Sequence, residues 1–160
     1  MLTLRAATAA DAALVLRFIV ELAEYERLAH EVVATEAELA RTLFGDAPAA
    51  EVVLAAWDGE DIGFALFFPS YSTFLARPGI YLEDLYVRPS HRGRGVGLAL
   101  LRHLAGLAHA RGHGRLEWSV LDWNEPAIRF YRSVGAEPLA DWTRFRVTGS
   151  ALAALAGRLP

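Results

Sequence analysis

The sequence predicts an α/β fold with a mixed sheet, and two observations carry that expectation. Residues 80–87 form an apolar run that leads through a glycine-rich loop into a helical pattern and then into a strand-like run at residues 115–121. A strand–helix–strand unit of this kind joins parallel strands. Two further apolar runs meet through Asp58-Gly59, the commonest signal of a short antiparallel hairpin. We therefore expect parallel and antiparallel strands in one sheet flanked by helices.

Two helices are expected ahead of the hairpin, after a first strand at residues 2–6. Thr8 and Asp11 resemble a capping box, in which a side chain bonds back to the start of a helix. This helix is expected to reach about His30, because apolar residues recur at steps of three and four positions. The stripe consists of Leu14, Phe18, Leu22 and Tyr25.

A second capping box, Thr35 with Glu38, begins a shorter helix. The hairpin strands are expected at residues 51–57 and 62–70, because both runs are apolar and rich in residues that favour strands. A loop is expected at residues 71–79, ahead of the central strand.

Four elements are predicted after the glycine-rich loop, in addition to the strand at its far side. A helix begins at about Gly97 and is rich in leucine and alanine. Asn124 caps another helix and Pro126 lies in its first turn, where the missing N–H of proline costs nothing. A last strand is expected at residues 142–148 and a short tail helix at residues 151–155.

Composition predicts a single cytoplasmic domain, residues 1–160. A chain of 160 residues buries about two thirds of its unfolded surface in one core. Cysteine is absent, which excludes disulfides and cysteine-type zinc sites and suits a reducing compartment. The start has no basic region before an apolar core, and no apolar run approaches membrane-spanning length. We expect no metal and no membrane partner.

Charge argues against nucleic acid as a partner. All sixteen basic residues are arginine, yet the net charge is -3. A nucleic-acid binder usually carries an excess of basic residues on one face. We therefore expect no binding of nucleic acid.

The most specific signal is a loop in which Gly93, Gly95 and Gly97 alternate with larger residues behind Arg92. Glycine reaches positive φ without steric cost and lets a phosphate approach the backbone N–H groups at a helix start. A Walker loop would require Gly-Lys-Ser/Thr, whereas Leu98 follows the last glycine. A dinucleotide fingerprint would require glycine at that same position. The loop therefore predicts a phosphate site of another kind.

Two carboxylates, Glu83 and Asp84, lie in the middle of the predicted central strand. Successive strand residues face opposite ways, so we expect them not to share a face. Glu83 is expected to lie among Tyr81, Leu85 and Val87, where burial raises the pKa of a carboxyl toward values useful to a base. A buried carboxylate that accepts backbone hydrogen bonds is the alternative for both. We favour a chemical role for Glu83 and a structural one for Asp84.

The loop pattern Arg92-x-x-Gly95-x-Gly97 resembles the pyrophosphate loop of the GNAT acyl-CoA-dependent N-acetyltransferases. Further blocks resemble the diamine acetyltransferase branch of that family. These blocks are Tyr81-Leu82-Glu83-Asp84, Trp123-Asn124-Glu125-Pro126, Phe130-Tyr131 and Gly135-Ala136, with Thr8-Ala9-Ala10-Asp11, Glu21-Leu22-Ala23 and Tyr25-Glu26 earlier in the chain. The resemblance covers nearly the whole chain. It implies a GNAT fold: a mixed, mostly antiparallel sheet of six to seven strands, splayed between strands 4 and 5, with acetyl-CoA in the opening and a homodimer as the assembly.

The resemblance also implies roles for individual residues. The pyrophosphate of acetyl-CoA would be held by Arg92, Gly93, Arg94, Gly95, Val96, Gly97 and Leu98. The pantetheine arm would pair with the backbone of Leu85, Tyr86 and Val87, and the cofactor's other side would be lined by Asn124, Glu125, Pro126 and Ala127. Tyr131 would be the general acid. Glu83 would accept the amine proton through water.

The substrate implied is a small primary amine that contacts Tyr25, Glu26 and Glu83. Polyamine-specific members carry several acids just after the tyrosine–glutamate pair, whereas here residues 27–30 contain none. Those members also place an acid where this chain has Ser72. We therefore expect a lysine-like amino acid such as thialysine in preference to spermidine.

A function of another class stays open on the sequence alone. A catalytically silent acyl-CoA-binding regulatory protein would keep the glycine loop but would need neither Tyr131 nor Glu83.

Overall fold

The computed structural model describes residues 1–157, which divide into two compact units: residues 1–121, and the described residues from Asp122 onward. The first unit holds five strands: β1 (Leu2–Ala6), β2 (Glu51–Trp57), β3 (Glu60–Ser72), β4 (Arg77–Val87) and β5 (Leu116–Trp118). It also holds three α-helices: α1 (Ala12–Tyr25), α2 (Glu36–Phe44) and α3 (Val96–Ala110). The second unit holds α4 (Glu125–Ser133) and α5 (Gly149–Ala156).

The five strands form one mixed sheet in the order β1-β2-β3-β4-β5. The first four strands pair antiparallel, and β4 pairs parallel to β5. The hairpin predicted at Asp58-Gly59 is confirmed, with φ of 50° and 86° at its two turn residues. Positive φ at both positions is the turn geometry that matches the twist of a hairpin. The expected mixture of parallel and antiparallel strands is therefore confirmed.

Helices α1 and α2 cover one face of the sheet. Phe18 of α1 is fully buried and stacks on Phe64 of β3, with ring centroids 5.6 Å apart. Leu66 and Tyr86 belong to the same apolar cluster, so they also point to this face. On the opposite face β4 buries Leu82, and α3 packs against the strands β2 to β5.

Both predicted capping boxes are present. The Asp11 carboxylate accepts the backbone N–H of Thr8 at 2.8 Å. The Glu38 N–H donates to Thr35 Oγ1 at 3.3 Å, and Glu38 Oε2 accepts the Thr35 N–H at 3.1 Å. These bonds satisfy N–H groups that have no partner inside the helix.

Several expected boundaries are wrong. The sheet has five strands among the described residues, not six to seven, and residues 142–148 form no strand. The strand expected at residues 115–121 is limited to β5, and the loop expected at residues 71–79 is mostly the end of the β3–β4 hairpin. A β-type sequence becomes a strand only where a neighbouring strand pairs with its backbone. Helix α1 ends at Tyr25 instead of His30, and Arg27 follows with φ of 62°.

Candidate active site

A β-bulge interrupts β4 where its two adjacent carboxylates lie. Leu82 pairs with Phe67 of β3, but Leu66, the residue before Phe67, pairs with Asp84. Glu83 is therefore the extra residue of the bulge. Since Phe67 and Leu66 point to opposite faces, their partners Leu82 and Asp84 do so too, although they lie two positions apart.

The bulge brings Glu83 and Asp84 to the same face. Asp84 faces the α1 side with Leu66, and alternation from Leu82 directs Glu83 to that side as well. The expectation that these two carboxylates cannot share a face is therefore wrong. A bulge inserts one residue, and that residue reverses the alternation for the rest of the strand.

The two carboxylates differ in their surroundings. Glu83 is exposed, so the burial expected for it among Tyr81, Leu85 and Val87 does not occur. Asp84 is half-buried, and burial raises its pKa to about 7, with the negative charges of Glu83 and then Glu26 adding to the effect. The carboxyl with the raised pKa is thus the one for which the sequence favoured a structural role.

Glu26 lies on the same side, directly after α1. Burial raises the pKa of its carboxyl, and its negative charge acts on Asp84. The neighbouring Tyr25 is the last residue of α1, and 36% of its surface is exposed. The end of α1 therefore contributes one aromatic and one acidic side chain near the bulge.

The strand β4 continues past its pairing with β5. The last parallel pair is Leu82 with Trp118, and residues 83–87 have no partner in β5. Arg88 donates its backbone N–H to Ile62 of β3 at 2.8 Å. Because backbone direction alternates along a strand, Val87 and Leu85 point their N–H and C=O groups away from β3, toward the open edge. The backbone N–H and C=O groups of Leu85 and Val87, the expected pantetheine partners, thus point to that edge. The backbone groups of Tyr86 point to β3.

The loop after β4 has the backbone that its glycines predict. Gly93 and Gly95 have φ of 74° and 82°, and Gly95 is the N-cap of α3. Gly97 is helical and lies in the first turn, and the first intrahelical bond runs from the Ala99 N–H to the Gly95 carbonyl at 2.9 Å. The N–H groups of the first turn therefore point out of the start of the helix, and an anion placed there is stabilised.

Arg92 is held within the first unit. Its Nε donates to the Val87 carbonyl at 2.8 Å, and its guanidinium lies 4.4 Å from the ring centroid of Tyr25 and 5.7 Å from that of Tyr86. Its neighbour Arg94 lies 5.6 Å from the Trp57 ring centroid. One arginine of the loop thus binds the open edge of β4 and the end of α1 together.

An ion pair that the sequence analysis missed fixes α1 to the end of β4. Arg88 donates from Nε and Nη2 to the two carboxylate oxygens of Glu21, at 3.1 and 2.9 Å. Its Nη1 donates to the Asp61 carbonyl at 2.9 Å. The hydrogen bonds from Arg88 hold the pKa of Glu21 below its usual range. The partners lie 67 positions apart in the chain, so no local pattern indicates the pair.

The second unit contains the remaining predicted residues. Asn124 is buried, and its side chain accepts the Ala127 N–H at 3.4 Å, which confirms it as the N-cap of α4. Glu125 and Pro126 form the first turn of this helix. Tyr131 is half-buried in α4, with its ring centroid 5.4 Å from that of Phe130.

No helix within residues 1–157 combines the length and the apolar character that a membrane span requires. In the same part of the chain, no three side chains of the metal-binding types are grouped around a common point.

Comparison with known families matches most of the chain to one family model. Residues 19–136 match the family model described as the acetyltransferase (GNAT) family. The chain belongs to this family. It is an N-acetyltransferase, and the acetyltransferases of this family use acetyl-CoA.

Curated relatives cover nearly the whole acetyltransferase. The thialysine N-epsilon-acetyltransferases of Mus musculus and Bos taurus are 36% and 38% identical over 166 residues, with 97% of each chain covered. The L-ornithine N5-acetyltransferase of Arabidopsis thaliana is 34% identical and covers 95% of this chain and 86% of its own. Nothing in these similarities supports a catalytically silent acyl-CoA-binding protein.

A solved structure shows the same fold. An integron cassette protein from the mobile metagenome of V. cholerae has a TM-score of 0.81 and 27% identity, with 97% of both chains covered. The acetyltransferase therefore has the α/β GNAT fold, with one mixed sheet of five strands among its described residues.

Proposed function

We propose that this enzyme transfers the acetyl group of acetyl-CoA to the side-chain amine of a small, lysine-like amino acid. The observation that carries the proposal is the similarity over nearly the whole chain to enzymes named for thialysine and L-ornithine. Both are amino acids with an amine at the end of the side chain. The carboxylates beside the open edge of β4 supply the negative charge that such an ammonium group requires.

The cofactor would lie along the open edge and the start of α3. The backbone of Leu85 and Val87 would pair with the pantetheine arm, because their N–H and C=O groups point to that edge. The pyrophosphate would be held by the loop residues Arg92, Gly93, Arg94, Gly95, Val96, Gly97 and Leu98. The positive end of α3 and the backbone N–H groups of this loop stabilise negative charge. Asn124, Glu125, Pro126 and Ala127 would line the cofactor's other side.

The reaction needs one group that removes a proton and one that supplies a proton. An alkylammonium must lose H⁺ before its nitrogen can attack the acetyl carbonyl. The resemblance to the diamine acetyltransferases implies that Glu83 accepts this proton through water. As the new C–N bond forms and the C–S bond breaks, the departing thiolate takes a proton from the Tyr131 hydroxyl. The nitrogen loses its second proton in the same collapse, and this proton restores the Tyr131 hydroxyl through solvent, so that one proton is released per turnover. The products are the N-acetylated amine and CoA.

Substrate contacts would come from Tyr25, Glu26 and Glu83. Arg27, which follows Glu26, could bind the carboxylate of an amino acid. Ser72 supports an amino acid over a polyamine: it is buried, and its hydroxyl accepts hydrogen bonds from Arg115 and from the Leu75 N–H. This position of the chain therefore offers no acid to a second ammonium group, and an unpaired ammonium is costly to desolvate.

The working form would be a single acetyltransferase domain of residues 1–160 that assembles as a homodimer in the cytoplasm. The absence of cysteine suits a reducing compartment. Light scattering of the purified protein tests the dimer.

A substrate panel tests the proposal. Thialysine, lysine, ornithine, diaminopropane, spermidine and spermine are each incubated with acetyl-CoA, and free CoA is measured. We expect kcat/KM to be highest for one of the amino acids. The highest value for spermidine would contradict the substrate class. If none of the six amines causes release of CoA, the proposed function is contradicted.

A further inference from the structure

We propose that Trp57, on the strand β2, is a positioning residue for the glycine-rich loop that receives the phosphates of acetyl-CoA. It would act through Arg94 and His91, whose side chains it holds beside the loop. This inference rests on the proposed function, because it takes the loop of residues 92–98 as the pyrophosphate site. It adds to that site a residue that lies on another strand, far ahead of the loop in the chain.

The contact between Trp57 and the loop involves two side chains. The guanidinium of Arg94 lies 5.6 Å from the centroid of the Trp57 ring, a distance at which an arginine is attracted to the face of an aromatic ring. The ring centroid of His91 lies 6.3 Å from that of Trp57, with the two planes inclined at 49°. Tilted rings at this separation also attract each other. One indole ring therefore contacts the chain on both sides of Arg92.

The sheet holds Trp57 itself in place. Its backbone pairs with Leu2 of β1 on one side and with Glu60 of β3 on the other. The side chain is half-buried. A side chain on a paired strand is a more precise support than a side chain on a loop. Trp57 can therefore fix the position of the groups that contact it.

The glycines leave one side of the loop unpacked. A Cβ placed on Gly93 or Gly95 would meet no atom of residues 1–157 within 4 Å. Glycine also loses more backbone freedom than any other residue when it is ordered. A loop of this composition is costly to order, and ordering that happens only on binding reduces affinity. Side chains that restrain the loop before the cofactor arrives should therefore raise its affinity.

Trp57 and Arg92 restrain the loop from opposite faces of the sheet. Arg92 lies over the ring of Tyr86, which belongs to the apolar cluster on the α1 face. Leu54 belongs to the same cluster, and Trp57 comes three positions later on β2. The register shift near this point places its extra residue, Ile62, in β3, so side chains along β2 alternate without interruption. Trp57 therefore points to the α3 face, and its loss should release that side of the loop while Arg92 still holds the other.

The expected effect concerns the phosphates of the cofactor and not the reaction. The N–H groups of the loop and of the first turn of α3 stabilise an anion only when they are directed to one place. Bound acetyl-CoA would order a loosened loop again, at the expense of affinity. A change that removes ground-state and transition-state binding equally raises KM and leaves kcat unchanged. Loss of Trp57 should therefore raise KM for acetyl-CoA alone.

The test compares three ligands that differ in their phosphates. CoA carries the pyrophosphate and a 3′-phosphate, dephospho-CoA carries only the pyrophosphate, and pantetheine carries neither. Calorimetry measures the affinity of CoA and dephospho-CoA, and competition against CoA measures pantetheine. No amine is present in these experiments, so their outcome does not depend on the substrate class.

The proteins are wild type, Trp57→Met, Trp57→Phe, Arg94→Gln and the double variant Trp57→Met with Arg94→Gln. Methionine keeps a long apolar side chain without a ring, and phenylalanine keeps a ring. Phe44→Leu, which changes a half-buried ring in α2, is the matched control for lost stability. Thermal unfolding followed by circular dichroism shows that each variant is folded.

We expect Trp57→Met to weaken CoA and dephospho-CoA by the same factor, about 5- to 20-fold, because the contacts with Arg94 and His91 are lost. Pantetheine should bind as it does to wild type. Trp57→Phe should restore most of the affinity, with a remaining loss of about twofold, because phenylalanine attracts a cation less than tryptophan does. This variant carries the test if Trp57→Met does not fold.

The double variant tests the route through Arg94. In the Arg94→Gln background, Trp57→Met should weaken CoA by only about two- to threefold, because the contact with His91 alone remains to be lost. Phe44→Leu should lower the unfolding temperature and leave all three affinities unchanged. In steady-state assays with the best amine of the substrate panel, Trp57→Met should raise KM for acetyl-CoA and keep kcat within about twofold of wild type.

Four results would overturn the inference. Unchanged affinity for CoA in Trp57→Met is the first, and equal weakening of CoA and pantetheine, which indicates a general structural role, is the second. Weakening of CoA with dephospho-CoA unaffected would assign the contact to the 3′-phosphate instead. A full effect of Trp57→Met in the Arg94→Gln background would show that Trp57 does not act through Arg94.

Failure of the proposed function gives different results. If wild type binds CoA no more tightly than pantetheine, the pyrophosphate assignment of the loop fails, and this inference fails with it. If the three ligands behave as expected but no amine of the panel is acetylated, the substrate class is wrong and the role of Trp57 stands.

Discussion

The guanidinium of Arg92 lies 4.4 Å from the ring centroid of Tyr25, which joins the start of the glycine loop to the last residue of α1. The same side chain donates to the Val87 carbonyl at 2.8 Å. The loop proposed to hold the cofactor and the helix end proposed to contact the amine are therefore fixed by one residue. A change at Arg92 should alter both binding steps.

Arg92→Ala should weaken acetyl-CoA binding by about 1.5–3 kcal/mol, because a charged hydrogen-bonding group at the phosphate loop is lost. It should also raise KM for the amine, since Tyr25 loses its cation contact. Calorimetry and steady-state kinetics measure the two effects. Arg102→Ala, an exposed arginine on α3, is the matched control and should leave both unchanged. Wild-type affinity for acetyl-CoA in Arg92→Ala would refute the loop assignment.

Tyr131→Phe should retain cofactor affinity while turnover falls by about 10²–10⁴-fold, because a general acid acts only as the C–S bond breaks. A thiolate is a good leaving group, so a loss near the lower end is expected. Phe130→Leu, a change at the neighbouring ring, is the control for packing within α4. A Tyr131→Phe variant with wild-type kcat would leave Tyr131 only a structural role.

The stability of the protein should depend on pH through Asp84. Its folded-state pKa, about 7, lies above the unfolded value of about 3.9. The folded state then binds more protons than the unfolded state between these values, so stability falls as pH rises from about 4 to 7. Asp84→Asn removes this cost and should raise the unfolding free energy at pH 8 by about 1–3 kcal/mol relative to pH 4. Urea unfolding across this range measures it, and an equal effect at both pH values would contradict the burial of the charge.

Two glycine-to-alanine changes should have opposite effects. A Cβ at Gly63 would lie 2.4 Å from the Tyr86 carbonyl oxygen, so β3 and β4 must move apart. We expect a loss of about 1–3 kcal/mol. A Cβ at Gly106 in α3 meets nothing within 4 Å, so Gly106→Ala should gain about 0.5–1 kcal/mol from helix propensity. Urea midpoints compare them, and a neutral Gly63→Ala would show that the strands adjust freely.

Local signals predicted the parts of the fold that neighbouring residues determine. The Asp58-Gly59 turn, the capping box at Thr35 and the Asn124 cap all depend on residues within three positions, and the structure contains each of them. The positive φ of the loop glycines Gly93 and Gly95 likewise follows from the absence of a side chain.

Features that depend on distant partners were not predictable. The bulge at Glu83 has no glycine or proline to mark it, and it results from the register between β3 and β4. It reversed the expected orientation of Asp84 relative to its neighbours. The Arg88–Glu21 ion pair joins residues far apart in the chain, and the strand expected at residues 142–148 required a pairing partner that sequence alone cannot identify.

The open edge of β4 also has a consequence for the protein in the absence of its cofactor. An edge with unpaired N–H and C=O groups is a template on which another chain can add a strand, and this is a common start of aggregation. Arg92 covers one such group, the Val87 carbonyl, with a hydrogen bond. The backbone of Leu85 lies on the same edge beside apolar side chains. Acetyl-CoA should therefore act as a protective agent during storage and refolding, by occupying an edge on which protein molecules would otherwise associate.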